Sequence, residues 1–79
     1  MYIVYIIQSL NDSSYYTGWT INLDKRLEEH NLGLSKHTSK KKPFKIVWHC
    51  IFNDKKKAIH FEKYLKSGSG IAFRNKRLI

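Results

Sequence analysis

The chain predicts an α+β fold: a three-stranded, mostly antiparallel sheet flanked by helices. Three observations carry that expectation. Two β-branched and aromatic runs sit close together near the start with a turn-rich cluster between them, the mark of a hairpin. A third such run lies in the second half, and two segments of helical periodicity alternate with the strands. The order strand, strand, helix, strand, helix, helix suits a small sheet with helices packed against it.

The first strand is expected over about 2–8, where β-branched and aromatic residues run almost unbroken until Ser9, Asn11, Asp12 and Ser13 favour a turn. Strand character resumes over about 14–19 and stops near Gly18. Asn22 is placed to cap a helix over about 22–31, with Asp24 in its first turn and Gly33 as its stop. Residues 33–43 read as a basic connector with room for a short helix, and Pro43 precedes the third strand, about 45–52. Asn53 or Asp54 caps the next helix, about 54–66. The run Ser67-Gly68-Ser69-Gly70 should break it, leaving a final short helix over about 71–78. No repeat and no Pro/Ser/Gly linker divides the 79 residues, so one domain over 1–79 with a small core is expected.

Charge is the strongest compositional signal: 15 Lys and Arg against 6 Asp and Glu give a net +9. A chain this small and basic points to a polyanionic partner, nucleic acid before a membrane surface, although charge also serves solubility. The single cysteine, Cys50, lies in an apolar run and reads as a small buried residue. One cysteine makes no intrachain disulfide and no Cys/His spacing suggests zinc, which fits a reducing, cytoplasmic setting. The apolar start is too short for a signal peptide and no basic residue precedes it; nothing approaches the length of a membrane-spanning helix.

Chemistry concentrates at a few positions. On the helix 54–66, at about 100° per residue, Ala58, Ile59, Phe61 and Leu65 form one apolar arc. Lys56, Lys57, His60 and Lys63 lie opposite, and Glu62 falls inside the arc. A carboxylate there needs a partner, because burying it bare is costly. The partner would be a bound cation or an arginine, unless Glu62 sits at the margin of the arc and reaches water. On the helix 22–31, Leu23 and Leu27 make the core stripe, and Arg26 and His30 stand four apart on its flank. They could project towards one site, or belong to the solvated face that Lys25, Glu28 and Glu29 mark. Tyr5 alternates with Ile3 and Ile7, and Tyr16 with Gly18. Tyrosine is common in strand cores; glycine in a strand is costly unless something must approach the backbone, and a ligand above Gly18 would touch Tyr16.

Taken together, Ile3-Val4-Tyr5, Tyr16-Thr17-Gly18, the segment Leu23–Asn31 with Arg26 and His30, and Ala58–Lys66 with Glu62 resemble the GIY-YIG nuclease family. The resemblance covers nearly the whole chain. It is closer to small stand-alone bacterial members than to the domain fused in excision-repair nucleases or homing endonucleases. Ile3 stands where the family has Gly, and Val4 and Thr17 where it has Ile, changes of packing that remove no chemical group. The resemblance implies a Mg²⁺- or Mn²⁺-dependent endonuclease hydrolysing DNA phosphodiester bonds, with a setting in DNA repair or recombination. Glu62 would hold the metal, Arg26 would neutralise phosphate charge, and Tyr5, Tyr16 and His30 would handle water and phosphate. Tyr5 is expected to take the water's proton, which requires a pKa below the ordinary phenol value of about 10. Asn75 would be the terminal Asn of the pattern. Lys40, Lys41 and Lys42 would grip flanking phosphates. With no room for a separate sequence-reading module, DNA would be chosen by shape or through a protein partner. The alternative is an inactive nucleic-acid-binding module of the same fold.

Overall fold

A computed structural model describes residues 1–79. Strands β1 (Tyr2–Ser9) and β2 (Tyr15–Thr20) form the expected hairpin, closed by Ser9 N–H donating to Ser14 O at 2.8 Å. Ser9 Oγ is buried in this loop, accepting from Asn11 N and Asp12 N while donating to Lys41 O at 2.6 Å. After helix α1 (Leu23–Asn31), strand β3 (Phe44–Phe52) pairs with the other side of β1. The sheet order is β2-β1-β3, and both pairings are antiparallel, so the sheet is wholly rather than mostly so.

The central strand divides the core by simple alternation. Val4 and Ile6 point to one face, where Ala58, Phe61 and Leu65 of helix α2 (Lys55–Lys66) cover them. Tyr5 and Ile7 point to the other, where Leu23 and Leu27 of α1 pack with Phe44 and Ile46. Glu62 therefore sits on a helix whose neighbours are core, as the periodicity predicted. Cys50 joins the α2 side only half-buried, and burial there raises its thiol pKa.

The caps follow the sequence closely. Asn22 accepts from Lys25 N at 3.1 Å, and Asp54, not Asn53, accepts from Lys56 N at 2.8 Å. At the end of α1, Gly33 takes a φ of +77° while its N–H reaches His30 O and Leu34 N–H reaches Glu29 O. That is a complete Schellman closure, and it turns the chain into the connector. Two expectations fail here. The connector contains no helix: Thr38 N bonds Ser35 O and Lys41 N bonds Thr38 O, giving successive turns. The last helix, α3 (Gly68–Arg77), starts at Gly68 rather than 71. Ser67 caps it by accepting from Gly70 N at 3.2 Å, so the Ser/Gly run is its first turn. Gly70 is there for close approach, because a Cβ would collide with the Tyr64 carbonyl.

Candidate active site

The strand register brings the two tripeptides face to face: Tyr5 pairs with Gly18, and Tyr16 pairs with Ile7. Tyr5, Ile7, Tyr16 and Gly18 therefore share the α1 side of the sheet. The space above Gly18 is filled by the Tyr5 phenol itself. A Cβ on Gly18 would lie 2.5 Å from Tyr5 Oη and 3.2 Å from Tyr16 Cε2. A close approach to Gly18 is thus made by the protein's own Tyr5 side chain.

His30 is fully buried, not on the flank of α1. Its ring meets those of Tyr16, Tyr5 and Phe44 edge-on, with centroids 5.2, 5.9 and 5.9 Å away. Both nitrogens are engaged: Nε2 is 2.9 Å from Tyr5 Oη, and Nδ1 is 2.6 Å from Thr38 Oγ1. Burial in this cage, with Arg26 adding repulsion, pushes the His30 pKa down to about 4 although Glu29 pulls the other way. The imidazole is therefore neutral at pH 7 and stands behind Tyr5, supporting it. Thr38 is the member that sequence reasoning missed. It is buried in a turn of a Ser- and Lys-rich connector, where no periodicity distinguishes it from its solvated neighbours.

Arg26 stands at the mouth of this arrangement. Its guanidinium pairs with Glu29 at 3.2 Å, and it lines two surface depressions that meet at Thr20 and Ile21. Burial pushes the Tyr5 pKa up to about 12; Arg26 lowers it, and Tyr16 and Glu62 raise it further. Glu62 itself lies on α2, the helix that covers the opposite face of the sheet. Its side chain is only 13 % exposed, and the partner it finds is neither arginine nor solvent. Lys66, one turn on, donates to Glu62 Oε2 at 2.6 Å, and the same ammonium lies 5.5 Å from the centre of the Tyr16 ring. One enclosed carboxylate beside a stand-in cation fits a divalent ion such as Mg²⁺, which commonly takes one or two protein carboxylates and keeps water elsewhere. No group of three or more His, Cys, Asp or Glu side chains offers an all-protein cage.

Two further sets of candidate residues are exposed to solvent. Asn75 is exposed on α3, where its side chain accepts from Arg74 Nε at 3.1 Å. Lys40, Lys41 and Lys42 lie exposed on the connector, with Lys41 3.7 Å from Asp12 in a solvent-exposed pair.

A family model described as the GIY-YIG catalytic domain matches residues 1–75. The chain belongs to the GIY-YIG catalytic-domain family. Among similar proteins, a UPF0213 protein of Clostridium perfringens is 44 % identical over 64 residues, covering 80 % of this chain and 68 % of that one. A UPF0213 protein of Staphylococcus haemolyticus is 36 % identical over 67 residues, covering 84 % and 80 %. The solution NMR structure of a UPF0213 protein from Bacillus halodurans superposes with a TM-score of 0.58 at 30 % identity, covering 99 % of this chain and 87 % of that one. Membership in the GIY-YIG family supports a nuclease, a hydrolase of DNA.

Proposed function

We propose that this chain is a metal-dependent endonuclease that hydrolyses DNA phosphodiester bonds, acting as one catalytic domain over 1–79. The observation that carries the reading is convergence. Tyr5 and Tyr16 of the hairpin meet over Gly18, Arg26 stands one turn before the His30 that bonds Tyr5 Oη, and the Lys66 paired with the enclosed Glu62 of α2 lies 5.5 Å from the Tyr16 ring. Glu62 would hold Mg²⁺ or Mn²⁺. A divalent ion bound there supplies Lewis acidity at a phosphate oxygen and the leaving oxygen. Arg26 offsets charge growing on the phosphate, and its part-exposed guanidinium is placed where a phosphate can reach it.

Tyr5 is the proton acceptor for the attacking water once its own proton has passed to solvent. The phenolate takes the water's proton as the water oxygen bonds to phosphorus and the P–O bond to the leaving oxygen breaks. Its pKa of about 12 in the free protein means that it holds its own proton at neutral pH. Burial is the main reason, Arg26 favours the phenolate, and the nearby Tyr16 and then Glu62 oppose it. His30 and Tyr16 keep the phenol aligned, and Lys40, Lys41 and Lys42 hold flanking phosphates. DNA shape, or a protein partner, would supply specificity; the lone cysteine suits a cytoplasmic setting, with repair or recombination as the biological context.

The reading is tested by Mg²⁺-dependent nicking of supercoiled and branched DNA. Wild type should cut and Glu62→Ala should lose at least about two orders of magnitude, the scale of removing a transition-state electrostatic contact. Equal cutting by both sinks it. The second reading, a binding module without turnover, is favoured by one observation: Lys66 already neutralises Glu62. It predicts DNA binding that is indifferent to Mg²⁺ and no nicking under any condition.

A further inference from the structure

We propose that the depression beside Arg26 and Lys55 is a subsite for an unpaired DNA nucleotide, held with its base against Trp19. The place of the scissile phosphate rests on the nuclease reading above; binding in the depression does not depend on cutting.

This depression, of about 540 Å³, is lined by Tyr2, Trp19, Thr20, Ile21, Arg26 and Lys55. That size suits a small organic group, for which sites commonly span about 300–1,000 Å³. Both of its charged side chains are cations and it has no carboxylate, whereas the adjoining depression holds Glu29. Its aromatic part is Trp19, half-buried against the Val4 and Ala58 core, with the Tyr2 ring 6.2 Å away. Ile21, 72 % exposed, adds an apolar side chain that the fold leaves uncovered. A fixed aromatic ring and an apolar wall beside two cations match a base joined to its phosphate.

In the free protein Lys55 Nζ lies 5.6 Å from the centre of the Trp19 ring. An exposed cation–π contact is weaker than the stacking of a base on an aromatic ring. An arriving base therefore displaces the ammonium, which turns to the nucleotide's phosphate. Lys55 and Glu62 stand two turns apart on one face of α2, about 10 Å along its axis. A duplex strand advances about 3.4 Å per nucleotide, so the depression lies within about three nucleotides of the Glu62 carboxylate. Arg26 lines the depression and, in the reading above, also meets the scissile phosphate. A paired base is stacked on both faces, and drawing it out costs least where it is mismatched or already single-stranded. The subsite therefore favours DNA that is unpaired close to the cut.

The test is metal-free binding of a short labelled duplex with a mismatched stretch, against its fully paired counterpart of equal length and charge. Anisotropy should show the mismatched duplex binding at least about fivefold tighter, the lower end of what stacking on an aromatic side chain contributes. In a Trp48→Phe background, which leaves Trp19 as the one tryptophan, it should also quench the fluorescence. Trp19→Leu keeps apolar bulk without the ring and should erase the preference while leaving the paired duplex unaffected. Equal wild-type affinities, absent quenching, or a preference that survives Trp19→Leu overturns the proposal. Should Trp19→Leu fail to fold, Ile21→Gln at the exposed wall should at least halve the preference, and an undiminished one overturns it. Lys55→Ala should flatten the slope of log affinity against log salt by about 0.9, and an unchanged slope refutes its phosphate contact. The nuclease reading fails separately. Mismatch preference without nicking in Mg²⁺ sinks that reading and leaves the subsite, while nicking without the preference sinks the subsite alone.

Discussion

At the scale of single residues, Gly18 shows how a missing atom organises the site. The Tyr5 ring rests where a Gly18 side chain would be, with a Cβ only 2.8 Å from Tyr5 Cζ. Gly18→Ala must therefore displace a buried phenol that is tied to His30. Overpacking of this kind costs about 1–3 kcal/mol, readable as a lower urea midpoint, and nicking should fall with it because the displaced phenol is the one proposed to take the water's proton. His30 makes a different prediction. Its folded pKa, about 4, lies below the ordinary 6.5. The unfolded chain thus takes up a proton that the native state refuses. The stabilising contribution is whole above the ordinary value and is lost as pH falls towards the folded one, reaching about 3 kcal/mol. Urea unfolding across that acid window should show the loss in wild type, and His30→Gln should flatten it. An identical pH slope in both proteins would rule it out. Tyr5, Tyr16, Arg26 and Glu62 were singled out in the sequence by their resemblance to the GIY-YIG pattern, Glu62 also by its place inside an apolar arc. Thr38 was not, since its meaning depends on a ring that only the tertiary fold brings to it.

Among elements, boundaries fixed by local hydrogen bonds could be read directly: Asn22 and Asp54 cap helices, and Gly33 ends one with the left-handed geometry that its composition allows. The Ser/Gly run does break α2 at Ser67, as expected, but it also opens α3, and that second role was hidden for a physical reason. Glycine lowers helix propensity, so a run of small residues suggests only a break; here it also gives α3 room to turn tightly off α2. The two glycines separate these roles. Gly68 has no atom within 4 Å of a would-be Cβ, whereas at Gly70 the Cβ would run into Tyr64 and Leu65 backbone. Gly68→Ala should therefore stabilise by about 0.5–1 kcal/mol through helix propensity. Gly70→Ala should destabilise by more than it gains, since backbone rather than a flexible side chain must yield. Thermal melts of the two variants test this, and shifts of the same sign would refute the account. The connector went the other way. It had room for a short helix, but no apolar stripe exists there to bury, and a helix that short gains little without one.

For the molecule as a whole, the sequence reports the charge of +9 but not its placement. The fold distributes it in two ways. Some cations are spent on the protein's own groups: Lys66 on Glu62 and the Tyr16 ring, Lys55 at 5.6 Å from the Trp19 ring, and Arg74 at 5.0 Å from the Tyr15 ring. Others remain in solvent, among them Lys40 on the connector and Lys56, Lys57 and Lys63 on the outer face of α2. Lys41 is intermediate, because its pairing with Asp12 at 3.7 Å is half-exposed and worth little in water. DNA should be able to take Lys41 from Asp12 at small cost, so all of Lys40, Lys41 and Lys42 count as available cations. Each phosphate contact on duplex DNA contributes about 0.9 to the slope of log affinity against log salt. Replacing the three lysines together with alanine should weaken binding across sequences and flatten that slope by up to about 2.7. Glu62→Ala, which leaves those cations untouched, should keep the wild-type slope while losing nicking. Fluorescence anisotropy with a labelled duplex over a salt series measures both. If the triple variant keeps the full slope, the connector does not contact the backbone, and the grip on DNA belongs to the lysines of α2.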